Sequence, residues 1–198
     1  VCGGVPDGPE AFFEIVKNST GGALSDKYHS MHAYQETYGM LLYPRVQQMH
    51  GEGKGARVFE IGLGCSNNPT AQVERSNNIN RGLHTWGNIF NHPKDEFYSA
   101  EYNERCVDKW IDNKIAPPNF KLLKGDQGDR DVLKRWLKES NTDQSNQFDF
   151  IIDDGGHKSS QILISFDGLY QEALKPGGIY FIDESSVQRI EVMANLMV

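Results

Sequence analysis

Val58-Phe59-Glu60-Ile61-Gly62-Leu63-Gly64-Cys65 is the stretch on which the fold turns. Four residues of strand character run straight into a Gly-x-Gly turn, and the spacing of apolar residues changes there from helical to extended. Upstream, from Ala33 to His50, Tyr34, Tyr38, Leu41, Leu42, Val46 and Met49 recur at helical spacing, and Gly51, Gly53 and Gly55 end that helix. A shorter helix is predicted around Phe12, Phe13 and Val16, followed by a Gly/Ser-rich loop from Asn18 to Asp26. Downstream, strand-like runs recur at Glu96–Glu101, Phe120–Leu123, Phe148–Ile152 and Ile179–Ile182. Helical patterns separate them. One covers Leu83–Phe90, and another covers Glu104–Ile111 with Cys106, Val107, Trp110 and Ile111 inward. A third is marked by Val132, Leu133, Trp136 and Leu137, and a fourth by Ile162, Leu163, Phe166, Leu169, Tyr170 and Ala173. Residues 67 to 81 are polar and read as irregular, and Lys175-Pro176-Gly177-Gly178 reads as a turn.

Strands alternating with helices predict parallel β-α-β units, hence an α/β chain with a Rossmann-like, doubly wound, mostly parallel sheet and helices on both faces. The expected division is a helical cap over 1–50 and a sheet domain over 51–198. In such sheets ligands bind beyond the carboxyl ends of the strands, so chemistry is sought there.

The bulk numbers narrow the field. A chain of 198 residues, 38% hydrophobic and 11% aromatic, buries a real core. No run of about eighteen apolar residues exists to span a membrane. A net charge of -7 lacks the basic face that nucleic acid requires and suits a small neutral or cationic ligand better. The three cysteines, Cys2, Cys65 and Cys106, form no zinc-type pair and read as reduced thiols, which favours the cytoplasm. Asn18-Ser19-Thr20 is a glycosylation sequon and keeps a secretory lumen open.

At the end of the first strand, glycines at 62 and 64 let the backbone approach a ligand closely. A nicotinamide fingerprint would need a third glycine where Asn67 stands, and no phosphate-cradling Gly-Lys-Ser/Thr follows. Glu101 follows the second strand, placed to accept hydrogen bonds from ribose hydroxyls. Asp126-Gln127 follows the third, placed to accept from an adenine amino group. For each acid alone a solvated loop carboxylate is the commoner fate; the Gly-x-Gly turn and these two acids at three successive strand ends are much harder to assign to chance.

The fourth strand ends in Asp153-Asp154-Gly155-Gly156-His157 and the fifth in Asp183-Glu184. If these strands are neighbours their ends lie roughly 5 Å apart. Asp154 with Asp183 or Glu184 then converge on one divalent ion, and oxygen ligands favour magnesium or calcium. His157, with an ordinary pKa of about 6.5, suits a general base. Asp153 is assigned to the cofactor side.

Glu60-Ile61-Gly62-Leu63-Gly64 resembles motif I of class I S-adenosylmethionine-dependent methyltransferases. Phe148 to His157, Leu174 to Gly178 and Tyr180-Phe181-Ile182-Asp183-Glu184 together resemble the metal-dependent sugar O-methyltransferases of macrolide biosynthesis and their bacterial and fungal relatives. Ser25-Asp26-Lys27 with His32, Tyr34 and Tyr38 is similar to the segment that precedes their cofactor domain, and Ala100-Glu101-Tyr102 also fits. The likeness covers roughly residues 25 to 185. It implies S-adenosylmethionine as cofactor, held by Glu60, Gly62, Gly64, Glu101, Asp126, Gln127 and Asp153, with Lys27 and Tyr34 closing over it. It implies magnesium on Asp154, Asp183 and Glu184, His157 as base, and a small-molecule or sugar hydroxyl as acceptor.

Two departures stand out. The family ends its fifth strand Glu-Asp, where this chain has Asp183-Glu184. The family also adds a helix and two strands beyond the fifth, and only fourteen residues follow Glu184 here. Either the sequence is incomplete or the fifth strand forms an exposed edge. The rival readings are a non-catalytic S-adenosylmethionine-binding or interaction protein and, more remotely, a nicotinamide oxidoreductase. Whether the chain forms a homo-oligomer stays open.

Overall fold

The structure is a computed structural model describing residues 8–19, 34–65, 81–112, 114, 116–184 and 189–194, with the side chains of 81, 184 and 189–191 outside that description. Lys27, Cys2 and the irregular stretch expected at 67–81 fall almost wholly outside it.

Each apolar run forms a strand: β1 Arg57–Ile61, β2 Glu96–Glu101, β3 Phe120–Lys124, β4 Phe148–Asp153, β5 Leu174–Glu184 and β6 Arg189–Ala194. They make one six-stranded sheet in the order β3-β2-β1-β4-β5-β6. All pairings are parallel except the last, in which β6 runs antiparallel to β5. The order reverses between β1 and β4, so a crevice opens beyond their carboxyl ends. Of the two alternatives raised for β5, the exposed edge does not occur: Ile179 to Glu184 pair with Ala194 to Arg189. A short antiparallel return needs only a tight connection, whereas a parallel neighbour needs a long crossover.

The helices are α1 Gly8–Asn18, α2 Tyr34–Thr37, α3 Tyr43–Gly51, α4 Arg81–Ile89, α5 Glu104–Asp112, α6 Arg130–Glu139 and α7 Ser159–Ala173. A π-helix, Tyr38–Leu42, joins α2 to α3 in place of the single regular helix expected over 33–50. The wider turn shifts the apolar face, so Leu41, expected inward, is exposed with Met40. Ile111 and Leu163, also expected inward, are more than half exposed. Asp129 caps the N-terminus of α6, its side chain accepting from the Asp131 and Val132 amides.

Strand alternation divides the core. Val58, Phe97, Phe150, Ile152, Ile179 and Phe181 pack with residues of α1–α5 on one face. Phe59, Ile61, Tyr98, Ile151, Tyr180 and Ile182 pack with α6 and α7 on the other. The segment 175–178 falls inside β5 and not ahead of it, and the register shifts there: Phe148 pairs with Leu174 while Phe150 pairs with Ile179, with Gly177 at φ +77°.

A second correction concerns the thiols. Cys65 and Cys106 form a disulfide across 41 residues of sequence, with Cα atoms 6.2 Å apart. Parallel pairing of Ile61 with Ala100 brings the two strand ends together, and the bridge ties the Gly-x-Gly turn to the first turn of α5. Structural disulfides persist in oxidising compartments, so cysteine usage no longer argues for the cytoplasm. Among the described residues no helix is long and apolar enough to cross a membrane.

Candidate active site

A cavity of about 580 Å³ lies over the carboxyl ends of β1 to β4, a size typical of small-molecule sites. Of the residues singled out in the sequence, Gly62, Gly64, Glu101, Asp126, Gln127, Asp154 and His157 all line it.

The two glycines of the first turn serve different ends. Gly62 has φ +103°, and a Cβ there would lie 2.0 Å from the Asp154 carbonyl oxygen. The β1 turn therefore crosses directly against the β4 turn, fixed by the Asp154 amide donating to Ile61 O at 2.9 Å. Gly64 has φ +75° and open space where its Cβ would be. Glu101 locks this turn, one carboxylate oxygen accepting from the Leu63 amide at 3.1 Å and the Cys65 amide at 3.4 Å, the other from the Asn103 amide at 2.8 Å. Asp126, half-buried, accepts from the Gly128 amide at 2.8 Å and from Gln161 Nε2 at 3.2 Å. With Glu101, Asp126 and Asp154 on its walls against Lys158 and His157, the cavity suits a ligand carrying positive charge.

His157 is exposed to the cavity on the turn after β4. Beneath that turn lies a buried polar network. Asp153 is 1% exposed, accepting from Ser165 Oγ at 2.5 Å, Gln127 Nε2 at 2.9 Å and the Tyr180 hydroxyl at 3.2 Å. Burial pushes the Asp153 carboxyl up from its ordinary range, against the opposing pull of these hydrogen bonds. Burial, reinforced by Asp153, likewise pushes the Tyr180 hydroxyl well up. Asp153 thus supports the cavity floor rather than lining its wall.

Glu60 points to the opposite face of the sheet, buried, where it accepts from Trp86 Nε1 at 2.7 Å and Ser99 Oγ at 3.3 Å. Tyr34 is buried and donates its hydroxyl to the Asp183 carboxylate, so α2 is fastened to the end of β5. Register pairs Asp153 with Ile182, so Asp154 and Asp183 follow one step later on neighbouring strands. Asp154 is on the cavity wall; Asp183 is buried and is not among the lining residues. Among the described residues no three His, Cys, Asp or Glu side chains gather closely enough to hold a metal ion. Magnesium keeps several waters and needs only one or two carboxylates, so Asp154 and Asp183 suit it in kind, with Asp183 already engaged by the Tyr34 hydroxyl.

Gln161, Ser165, Tyr102 and Lys158 are site residues that the strand-end pattern does not single out. A signal for two of them is present: Gln161 and Ser165 stand four apart on α7, interleaved with its inward apolar residues, and polar groups at such positions need buried partners.

No family model and no curated protein matches this sequence. Among solved structures the chain is similar to the MycE methyltransferase from the mycinamycin biosynthetic pathway in complex with Mg and SAH. The TM-score is 0.60 at 23% identity, over 89% of this chain and 36% of that one. The MycE complex with Mg, SAH and mycinamycin VI gives 0.61 at the same identity and coverage. The chain thus spans about a third of the length of these proteins. What the likeness establishes is architecture: the chain carries the Rossmann-like methyltransferase fold.

Proposed function

We propose that this chain binds S-adenosylmethionine and transfers its methyl group to a hydroxyl of a small molecule, a sugar among the candidates, with His157 as base. One observation carries the reading: Gly62, Gly64, Glu101, Asp126 and His157, from three strand ends and the turn after a fourth, line a single cavity. Its acidic walls complement a sulfonium. Neutral His157 takes the acceptor's hydroxyl proton, and the oxygen attacks the methyl carbon in line. The carbon–sulfur bond breaks with its electron pair staying on sulfur, giving S-adenosylhomocysteine. Positioning supplies much of the rate in such a displacement.

Magnesium enters this reading as a proposal on Asp154, Asp183 and Glu184, supported by the Mg held in the MycE complexes. The contact of Tyr34 with Asp183 supports a second reading, since it engages one of those carboxylates: a metal-independent enzyme, or an S-adenosylmethionine-binding protein without turnover. Calorimetric titration with S-adenosylmethionine, with and without magnesium, separates them, because binding indifferent to magnesium favours the second. For the base, His157→Ala is expected to keep cofactor binding and lose methyl transfer by about 10² to 10⁴-fold. Full turnover by that variant removes His157 from the mechanism.

A further inference from the structure

Gln127 has no part in the transfer as written, yet both ends of its carboxamide are bonded beneath the turn that carries His157. It is 4% exposed in the loop that follows β3. Its Nε2 donates to Asp153 Oδ1 at 2.9 Å and to Ser165 Oγ at 3.2 Å, while its Oε1 accepts from the Gly156 amide at 2.5 Å. The two ends of the carboxamide are thereby distinguished: its NH₂ meets a carboxylate and its carbonyl meets a peptide N–H. A Cβ on Gly155 would lie 2.2 Å from Gln127 Oε1, so the turn is pressed down onto the amide. From the other side, a Cβ on Gly156 would lie 2.3 Å from Gln161 Oε1, and Gln161 Nε2 reaches Asp126.

We propose that Gln127 is a positioning residue for His157: anchored by Asp153, it grips the Gly156 amide and so sets where the imidazole enters the cavity. The inference rests on reading His157 as the base, but the grip itself is testable without any acceptor. An aliphatic side chain of similar length would fill the space and hold nothing. A carboxylate at position 127 facing a carboxamide at position 153 would restore the hold with the chemistry exchanged. The carboxylate would accept from both the Gly156 amide and the carboxamide NH₂, and the carboxamide oxygen would accept from Ser165 and Tyr180.

The test compares Gln127→Met with the exchanged pair Q127E/D153N at neutral pH, reading Gly156 amide hydrogen exchange and the His157 imidazole resonances by NMR. Gln127→Met is expected to lower Gly156 protection about tenfold, the scale of one lost hydrogen bond, and to move the His157 resonances. The exchanged pair is expected to restore both. Unchanged protection in Gln127→Met overturns the proposal. So does a failure of the exchanged pair to recover, since mere packing would then explain the loss. If Gln127→Met does not fold, the exchanged pair decides alone, upholding the grip if Gly156 stays protected and overturning it if protection is lost. Should His157→Ala retain full methyl transfer, the base assignment falls while the exchange data still report on the grip.

Discussion

Gly62 and Gly64 are two residues apart and look interchangeable in the sequence, but different forces require each. At Gly64 only the left-handed backbone matters, because the space beyond it is open. Gly64→Ala should therefore cost about 1–2 kcal/mol. Gly62→Ala meets the Asp154 carbonyl as well, must part the β1 and β4 turns, and should cost more. Urea denaturation of the two variants checks the order; equal losses would mean that the crossing is not tight. Asp153 offers a pH test. Burial raises its pKa above 3.8 in the folded protein, so the folded state holds that proton more firmly than the unfolded chain. The resulting stability is present below the unfolded value and is lost as pH rises through the raised folded value. Asp153→Asn should remove that fall, seen as a change in urea midpoint from acidic to neutral pH that is more positive than in the unmodified protein. In the sequence Asp153 falls to the cofactor side because two adjacent acids at a strand end look alike. Strand parity separates them: Ile151 and Asp153 face α6 and α7, while Ile152 faces the other helices.

At the scale of elements, apolar runs locate β1 to β4 to within a residue or so, because strands buried on both faces are nearly continuous apolar segments. What escapes such a reading is geometry that no local pattern encodes. The π-helix at Tyr38–Leu42 displaces Leu41 outward, and β5 runs on through what reads as a Pro-Gly-Gly turn, with a shift of register there. The Cys65–Cys106 bridge depends on β1 pairing with β2, a fact of tertiary structure. Closing a loop of 41 residues restricts the unfolded chain, a contribution of about 4 kcal/mol in the chain-entropy account. Reduction, or replacement of both cysteines by serine, should lower stability by that order. It should also weaken S-adenosylmethionine binding, because Cys65 is on the cavity wall and its amide donates to Glu101. Calorimetry on oxidised and reduced protein measures the second effect. Unchanged affinity would show that Glu101 alone holds the turn.

For the molecule as a whole, the alternation of strands and helices is enough to specify the sheet, its parallel sense and the end at which to look for a ligand. It does not reveal β6, whose residues 189–194 carry charge at Arg189 and Glu191 and lack the apolar continuity of the interior strands. An antiparallel strand at the side of a sheet needs only one face against the core. With the strand order reversing between β1 and β4, the cavity is where this architecture places a nucleotide-like ligand. Binding there must stabilise the fold by mass action. At a concentration one hundred times the dissociation constant the gain is about 2.7 kcal/mol, and in a chain of this size that raises the melting temperature by about 5 to 10 °C. Thermal unfolding with S-adenosylmethionine or S-adenosylhomocysteine should show such a rise. NADH should not, because Asn67 stands where the nicotinamide fingerprint requires glycine. A shift with NADH alone would reassign the cavity to a dinucleotide. A shift with neither would leave the fold without the cofactor proposed for it.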